Sequence, residues 1–206
     1  MQTKPLSHGR RRHPPSRAAL VSDAASGKTP VMSDDGYDWT QFWVHMYYLA
    51  PLDEVFRRFS TPAGLASFYI REATFESADG QRRDHDEMYR TGDRYHFEYV
   101  HDYRHGGEVL EVVPGERVAF TFGVCDVTID FAEVDGTTEV ALHQTGCPIE
   151  DPDRAWLHLN CRSCWIYFMT NLRSVLATGH DVRDHDRPEW NDSVSIGWDP
   201  AFVRTS

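Results

Sequence analysis

Two hydrophobic periods divide this chain into a central sheet and flanking helices. Between Ile70 and Thr145, apolar and polar residues largely alternate, which is typical of strands that bury one face. The alternation predicts strands over 70–76, 94–103, 108–113, 117–124, 126–133 and 137–145. An aromatic run over 39–49 predicts one further strand, which Pro51 ends.

Two short helices are predicted directly after the first strand. The stretch LDEVFRRF, residues 52–59, places its apolar side chains on one helical face. A second short helix is predicted over 61–67, with Ser60 as its cap and Pro62 in its first turn.

A long helix is predicted to close the chain. It begins at Asp151 as N-cap with Pro152 in the first helical position, and it ends at Gly179, which enters the left-handed conformation easily. Its main apolar stripe consists of Leu157, Cys161, Cys164, Trp165, Phe168, Leu172, Val175 and Leu176. A weaker second patch, called the outer patch below, consists of Trp156, Leu159, Ile166 and Tyr167.

This order of elements predicts an α+β fold. Strands joined by tight turns pair antiparallel, so we expect a curved antiparallel sheet of about six to seven strands that grips the long C-terminal helix. The gap between a bent sheet and its helix is a natural ligand cavity. The side chains predicted to line it are Tyr95, Phe97, Tyr99, Phe120, Phe122, His143, Trp165, Phe168 and Leu172.

Charge separates a tail from the body of the protein and excludes some partners. The net charge of −11 argues against nucleic acid, and no apolar run is long enough for membrane insertion. Residues 1–38 are predicted to be a disordered basic tail, either a transit peptide or, as we favour, a segment upstream of a start at Met32. Residues 39–183 form the predicted domain. Residues 184–206 form a C-terminal tail predicted to pack on it through Trp190, Ile196, Trp198 and Phe202.

The four cysteines are too few for a disulfide scaffold at this length, which favours reduced thiols and a cytoplasmic protein. Cys161 and Cys164 lie one turn apart with His158 nearby, a spacing that zinc accepts. Both thiols fall within the apolar stripe, however, and not at a helix N-terminus, where redox pairs lie. We therefore predict core packing, with no metal and no cofactor.

The histidines give no clear catalytic set. Alternation along the last strand requires that either His143 or Gln144 points into the cavity, where a histidine would suit a general base or a buried structural role. His96, Glu98 and Asp102 share the face predicted to be solvated. No ligand spacing connects the histidines in or beside predicted loops, which are His101, His105 in the turn His105-Gly106-Gly107, His180 and His185. We assign no catalytic residue.

Four motifs then occur in an informative order. They are APLDEVF over 50–56, GEVLEVVPGERV over 107–118, TTEVAL over 137–142, and Trp165-x5-Asn171-Leu172-Arg173-x2-Leu176-x2-Gly179-x-Asp181-x-Arg183. Together they resemble START-like (SRPBCC) proteins, in the stand-alone bacterial branch named after the activator of heat-shock-protein-90 ATPase. The resemblance covers roughly residues 39–183. It implies a helix-grip fold that binds or processes apolar small molecules, and it implies no universal catalytic residue.

We therefore expect a cytoplasmic protein that binds a small apolar or amphipathic molecule. We expect the outer patch to be covered either by the C-terminal tail or by a second subunit in a homodimer. An enzyme of the cyclase or hydrolase type, using a cavity histidine or carboxylate, is an open alternative. A stress protein similar to the chaperone ATPase activator is another. The eukaryotic co-chaperone has an additional N-terminal domain, which residues 1–38 do not resemble.

Overall fold

The computed structural model describes residues 36–99, 103–150 and 154–187, without the side chains of residues 154 and 155. Within these residues, the strands are β1 (Phe42–Tyr48), β2 (Glu72–Glu76), β3 (Arg94–Glu98), β4 (Arg104–Val113), β5 (Arg117–Phe122), β6 (Cys125–Val134) and β7 (Thr137–Thr145). The helices are α1 (Leu52–Ser60), α2 (Pro62–Ala66) and α3 (Cys161–Thr178), and a π-helical segment, Arg154–Asn160, leads into α3.

The strands form one seven-stranded sheet in the order β1-β7-β6-β5-β4-β3-β2, with neighbours antiparallel. Consecutive strands are neighbours except β1, which pairs with β7 and so joins the first strand to the last. Helices α1 and α2 follow β1, and α3 closes the domain. The predicted α+β helix-grip architecture is confirmed.

The β3–β4 connection differs from the prediction. Strand β3 ends at Glu98, and the Tyr99 N–H donates to the Tyr103 carbonyl at 2.9 Å, so the chain reverses before 105–107. The predicted turn at His105-Gly106-Gly107 is therefore wrong, because these residues belong to β4. Its two glycines leave room for side chains of β3, and a Cβ on Gly106 would lie 3.0 Å from the His96 ring.

Strand β5 is shorter than predicted. It ends at Phe122, and Gly123 takes a positive φ of 64° in the turn that follows. Val124 is consequently 70% exposed and does not share the buried face of Phe120. The cap of α2 also differs, because the Thr61 hydroxyl, and not Ser60, accepts a hydrogen bond from the Gly64 N–H at 3.0 Å.

The closing helix is regular only from Cys161 onward. In the π-helical segment, the Leu157 carbonyl accepts hydrogen bonds from the Gln144 side chain (2.9 Å) and the Cys147 thiol (3.2 Å). The predicted start at residues 151–152 lies outside the described residues. The predicted end is confirmed, because Gly179 has φ 74° and its N–H donates to the Val175 carbonyl at 2.9 Å.

A polar clasp fixes the C-terminal end of α3. Arg183 is buried and donates to the carbonyls of Ala66 (2.8 Å) and Ile70 (2.9 Å) as well as to the Asp181 carboxylate. The Asn171 amide donates to the same carboxylate at 2.9 Å. The motif residues Asn171, Asp181 and Arg183 therefore hold the helix against the segment between α2 and β2.

The outer patch faces away from the sheet, and Trp156 is 53% and Ile166 41% exposed. The predicted contact between this patch and the C-terminal tail concerns residues 188–206, which lie outside the described residues. Most of the predicted N-terminal tail, residues 1–35, lies outside them as well. Of the helices in the described part of the chain, none combines the length and the apolarity needed to cross a bilayer.

Candidate functional site

The middle of the grip is filled by aromatic rings. Tyr95 and Phe120 project from the inner face of the sheet and pack edge to face at 5.8 Å between ring centroids. Phe120 lies 6.5 Å from Trp165 of α3, and Trp165 stacks on Tyr69 at 4.8 Å. All four side chains are buried. The structure thus brings three of the predicted cavity residues together, and Tyr69 joins them from the loop before β2.

Other predicted cavity residues extend this cluster. Phe97 lies 4.2 Å from the ring of Tyr95, and Tyr99 shares a hydroxyl–hydroxyl hydrogen bond of 2.6 Å with Tyr69. Burial raises the pKa of Tyr69 and of Tyr99 well above the ordinary tyrosine value, so both hydroxyls keep their protons. Leu172 is fully buried further along α3.

Four half-buried side chains border this cluster, and we call them the rim: His105, Phe122, Cys161 and Phe168. Phe122 lies 6.1 Å from Trp165 and 4.7 Å from the His105 ring. Phe168 packs edge to face on Tyr69 at 4.9 Å. The rim is therefore the place where the apolar interior of the grip meets solvent.

His105 is the polar member of the rim. Its Nε2 lies 3.0 Å from the Tyr95 hydroxyl, which also donates a hydrogen bond to the Thr121 carbonyl. Burial lowers the pKa of His105, so the ring is neutral at neutral pH. The predicted turn does not hold for His105, because His105, Gly107 and Val109 alternate toward the inner face of β4 and this alternation continues through the two glycines.

Gly107 leaves the space that the hydrogen bond between the Tyr95 hydroxyl and the Thr121 carbonyl needs. It stands opposite Tyr95 in the β3–β4 register. A Cβ at this position would lie 2.7 Å from the Tyr95 hydroxyl oxygen and would also collide with the Thr121 side chain. The missing side chain lets the Tyr95 ring cross β4 and reach the Thr121 carbonyl on β5.

His143 does not join the predicted cavity residues. Gln144 points inward instead, where its Oε1 accepts a hydrogen bond from the Trp165 indole at 3.0 Å. His143 lies on the outer face, stacked on Trp43 at 3.7 Å and 2.7 Å from the Gln41 side-chain oxygen. Successive side chains of a strand point to opposite faces, and the register of β7 puts Gln144 inside.

The cysteines occupy apolar surroundings. Burial raises the pKa of Cys161 to about 12, which keeps the thiol protonated. Cys125 and Cys147 are both buried, with 3.7 Å between their sulfur atoms. His158 lies 2.9 Å from the Trp39 carbonyl through its Nδ1. Among the described residues, no group of three or more His, Cys, Asp or Glu side chains is arranged to hold a metal ion.

Two surface depressions share only His105 with the rim. One, of about 410 Å³, is lined by Glu72, Thr74, His96, Phe97, Glu98, Arg104, His105 and Gly106. Arg71 and Arg104 pair with Glu98 there, so the charged groups satisfy one another. The other, of about 430 Å³, is lined by residues 87–91 together with Val112 and Pro114. Of the predicted cavity residues, these two depressions include only Phe97.

Solved structures share this fold at low sequence identity. The protein SSP2350 from Staphylococcus saprophyticus aligns with a TM-score of 0.56 and 21% identity over 69% of this chain and 96% of its own. DynU16, a putative protein in the dynemicin biosynthetic locus, aligns with a TM-score of 0.56 and 20% sequence identity, and the alignment covers 71% of this chain and 50% of DynU16. The Aha1 dimer from Colwellia psychrerythraea aligns with a TM-score of 0.53 and 15% sequence identity, and the alignment covers 68% of this chain and 97% of the Aha1 chain.

Sequence comparison identifies the family. No curated protein matches the chain. The family model described as "Activator of Hsp90 ATPase homolog 1-like protein" matches residues 49–177, from the entry into α1 almost to the end of α3. Because this match spans well over half of the sequence, the chain belongs to the family of Activator of Hsp90 ATPase homolog 1-like proteins.

Proposed function

We propose that this protein is a cytoplasmic binding protein for a small apolar or amphipathic molecule, which it holds at the rim. The observation that carries the proposal is the set of half-buried apolar side chains, Phe122, Cys161 and Phe168, beside the buried Trp165 and Tyr69. Sites for such ligands are mostly apolar, with a small number of polar groups. The proposal rests on the rim and not on the activity in the family name.

The chemistry of the grip supports a neutral ligand. The tyrosine hydroxyls and the Cys161 thiol are protonated because burial raises their pKa, and His105 is neutral because burial lowers its pKa. None of the four rim side chains therefore carries a charge at neutral pH. The net charge of −11 further disfavours an anionic ligand.

The proposal is tested with the full chain and the neutral fluorescent probe N-phenyl-1-naphthylamine. Phe122→Ala removes an apolar wall of the rim, so we expect a loss of probe affinity of about tenfold. Val124→Ala is the matched control, because Val124 lies two residues further along and is 70% exposed in the turn. Equal affinities for the two variants would contradict the proposal. Native mass spectrometry of the purified protein would additionally reveal a retained ligand.

An enzyme of the cyclase or hydrolase type is the second candidate, and His105 is the observation that favours it. A neutral, half-buried imidazole beside an apolar surface suits a general base. If the protein is an enzyme, a ligand recovered from it should be converted by the wild type and left unchanged by His105→Phe. Mass spectrometry of the ligand after incubation would show the difference.

A further inference from the structure

We propose that His105 Nδ1 is the hydrogen-bond acceptor that selects the ligand of the rim, and that the ligand is a neutral apolar ring compound with a hydroxyl donor, such as a phenol or an enol. This inference rests on the proposed function and specifies its ligand class. It follows from the two hydrogen bonds that the Tyr95 hydroxyl makes, one with the Thr121 carbonyl and one with His105 Nε2.

The tautomer of His105 follows from counting protons. The Tyr95 hydroxyl has a single proton, and the Thr121 carbonyl can only accept, so the hydroxyl donates to Thr121. The remaining contact of the same hydroxyl oxygen is His105 Nε2 at 3.0 Å. The hydroxyl has no second proton to give, so Nε2 must carry the proton and donate. In a neutral imidazole the other nitrogen, Nδ1, is then an acceptor.

The Nδ1 acceptor is available to a ligand. In the part of the chain that the structure describes, Tyr95 is the one hydrogen-bond partner of the His105 ring. The His105 ring is half-buried and packs beside Phe122, which itself contacts Trp165. A ring compound that lies against Phe122 therefore meets one acceptor at the edge of an apolar surface. The rim offers no cation to pair with a carboxylate, so a neutral hydroxyl group is the complementary donor.

The tautomer is held in place by rigid neighbours. Tyr95 is fully buried, and Gly107 leaves no side chain that could displace its hydroxyl from the Thr121 carbonyl. The proton on Nε2 is thus fixed by the interior of the sheet, and not by the ligand. This arrangement presents Nδ1 in its accepting form before any ligand arrives, which lowers the cost of ordering the site.

The test compares two probes of nearly equal shape, 1-naphthol and 1-methylnaphthalene, on the full chain. The wild type should prefer 1-naphthol, and His105→Phe should lose about five- to tenfold in 1-naphthol affinity while it keeps its affinity for 1-methylnaphthalene. His105→Gln retains an acceptor and should restore part of the preference. His96→Phe is the matched control, because His96 is an exposed residue on the opposite face of β3.

The outcomes separate this inference from the proposed function. If both probes bind and His105→Phe weakens them equally, the selective acceptor role is wrong while the binding function stands. If neither probe binds, the proposed function fails and takes this inference with it. A long-range ¹H–¹⁵N spectrum of the histidines provides a readout that does not depend on binding. It should show His105 protonated on Nε2, and protonation on Nδ1 would overturn the inference.

Discussion

At the scale of single residues, Gly107 has the strictest steric requirement near the rim. Its φ is not positive, so the requirement is one of space and not of backbone conformation. In Gly107→Ala the new methyl group would meet the Tyr95 hydroxyl and the Thr121 side chain. We expect a loss of about 1–3 kcal/mol in the free energy of unfolding, measured by urea denaturation, because overpacking forces neighbours out of place.

The double variant with Tyr95→Phe provides the control. Removing the Tyr95 hydroxyl takes away one of the three nearest atoms that the new methyl group would meet, the others being Thr121 Oγ1 and a Tyr95 ring carbon. Gly107→Ala should therefore cost less in this background than in the wild type. The histidine spectrum should also change in Gly107→Ala, because His105 loses its fixed partner. Strict additivity of the two substitutions, with an unchanged His105 signal, would contradict this account.

The two histidines show what sequence could and could not predict at this scale. Alternation correctly required that only one of His143 and Gln144 faces the interior. The choice between them depends on the register of β7 against β1 and β6, which is set by contacts distant in sequence. The two glycines directly after His105 predict a turn, whereas the folded chain places all three residues in β4. The reason for those glycines, the space that β3 side chains need, exists only in the folded sheet.

At the scale of elements, the clasp after α3 should make stability depend on acid pH. Burial opposes ionisation of Asp181, but hydrogen bonds from Arg183, His185 and Asn171 outweigh it and hold its pKa well below the ordinary value. A carboxyl group with a depressed folded pKa contributes stability above its unfolded pKa of about 3.9 and loses that contribution as pH falls toward the folded pKa. Unfolding measured by circular dichroism should therefore show a steep loss of stability below about pH 4.

Asp181→Asn isolates this contribution. At neutral pH the variant should be less stable than the wild type by about 2 kcal/mol, because Arg183 loses a charged acceptor. Its stability should also fall less steeply in acid. Asp86→Asn is the control, since Asp86 forms an exposed pair with Arg57 at 3.5 Å that contributes little. The account would be wrong if both variants followed the same pH profile.

The two ends of the long helix differ in how far the sequence predicts them, because one depends on a local signal and the other on tertiary contacts. Its end was predictable because Gly179 is a local signal that needs no partner. The π-helical form of Arg154–Asn160 was not, because side chains from outside the helix, Gln144 and Cys147, bond the Leu157 carbonyl. The apolar stripe also predicts that Cys161 packs against the core; the residue is half-buried at the rim, and its raised pKa agrees with a thiol packed among apolar groups.

At the scale of the whole molecule, the order of the elements was predictable because each strand and helix has its own period and turn signals. The cavity was harder to predict, since the same aromatic residues can fill an interior or line a space within it. Tyr95, Phe120 and Trp165 fill the interior, whereas Phe122 and Phe168 remain half-exposed at the rim. Both groups consist of aromatic residues, so residue type does not separate the buried rings from the half-exposed ones. Their burial depends instead on which strand ends beside which turn of α3.

The outer patch leads to a prediction about the complete chain. Trp156 and Ile166 are exposed within the described residues, and an apolar helix face of this kind is a site for contact with another surface. We expect the C-terminal tail to cover the patch, so a chain that ends at Arg187 should bind more of the neutral dye Nile red than the full chain. Replacing the tail residues Trp190 and Trp198 by alanine in the full chain should have a similar effect.

Sedimentation separates this prediction from the homodimer that the same patch would support. If the tail covers the patch, the full chain should sediment as a monomer, and Ile166→Glu should weaken attachment of the tail without a change in mass. If a second copy covers it instead, the full chain should sediment as a dimer that Ile166→Glu dissociates, and truncation should leave dye binding low. Unchanged dye binding together with an unchanged dimer would therefore rule out the tail and assign the patch to subunit contact.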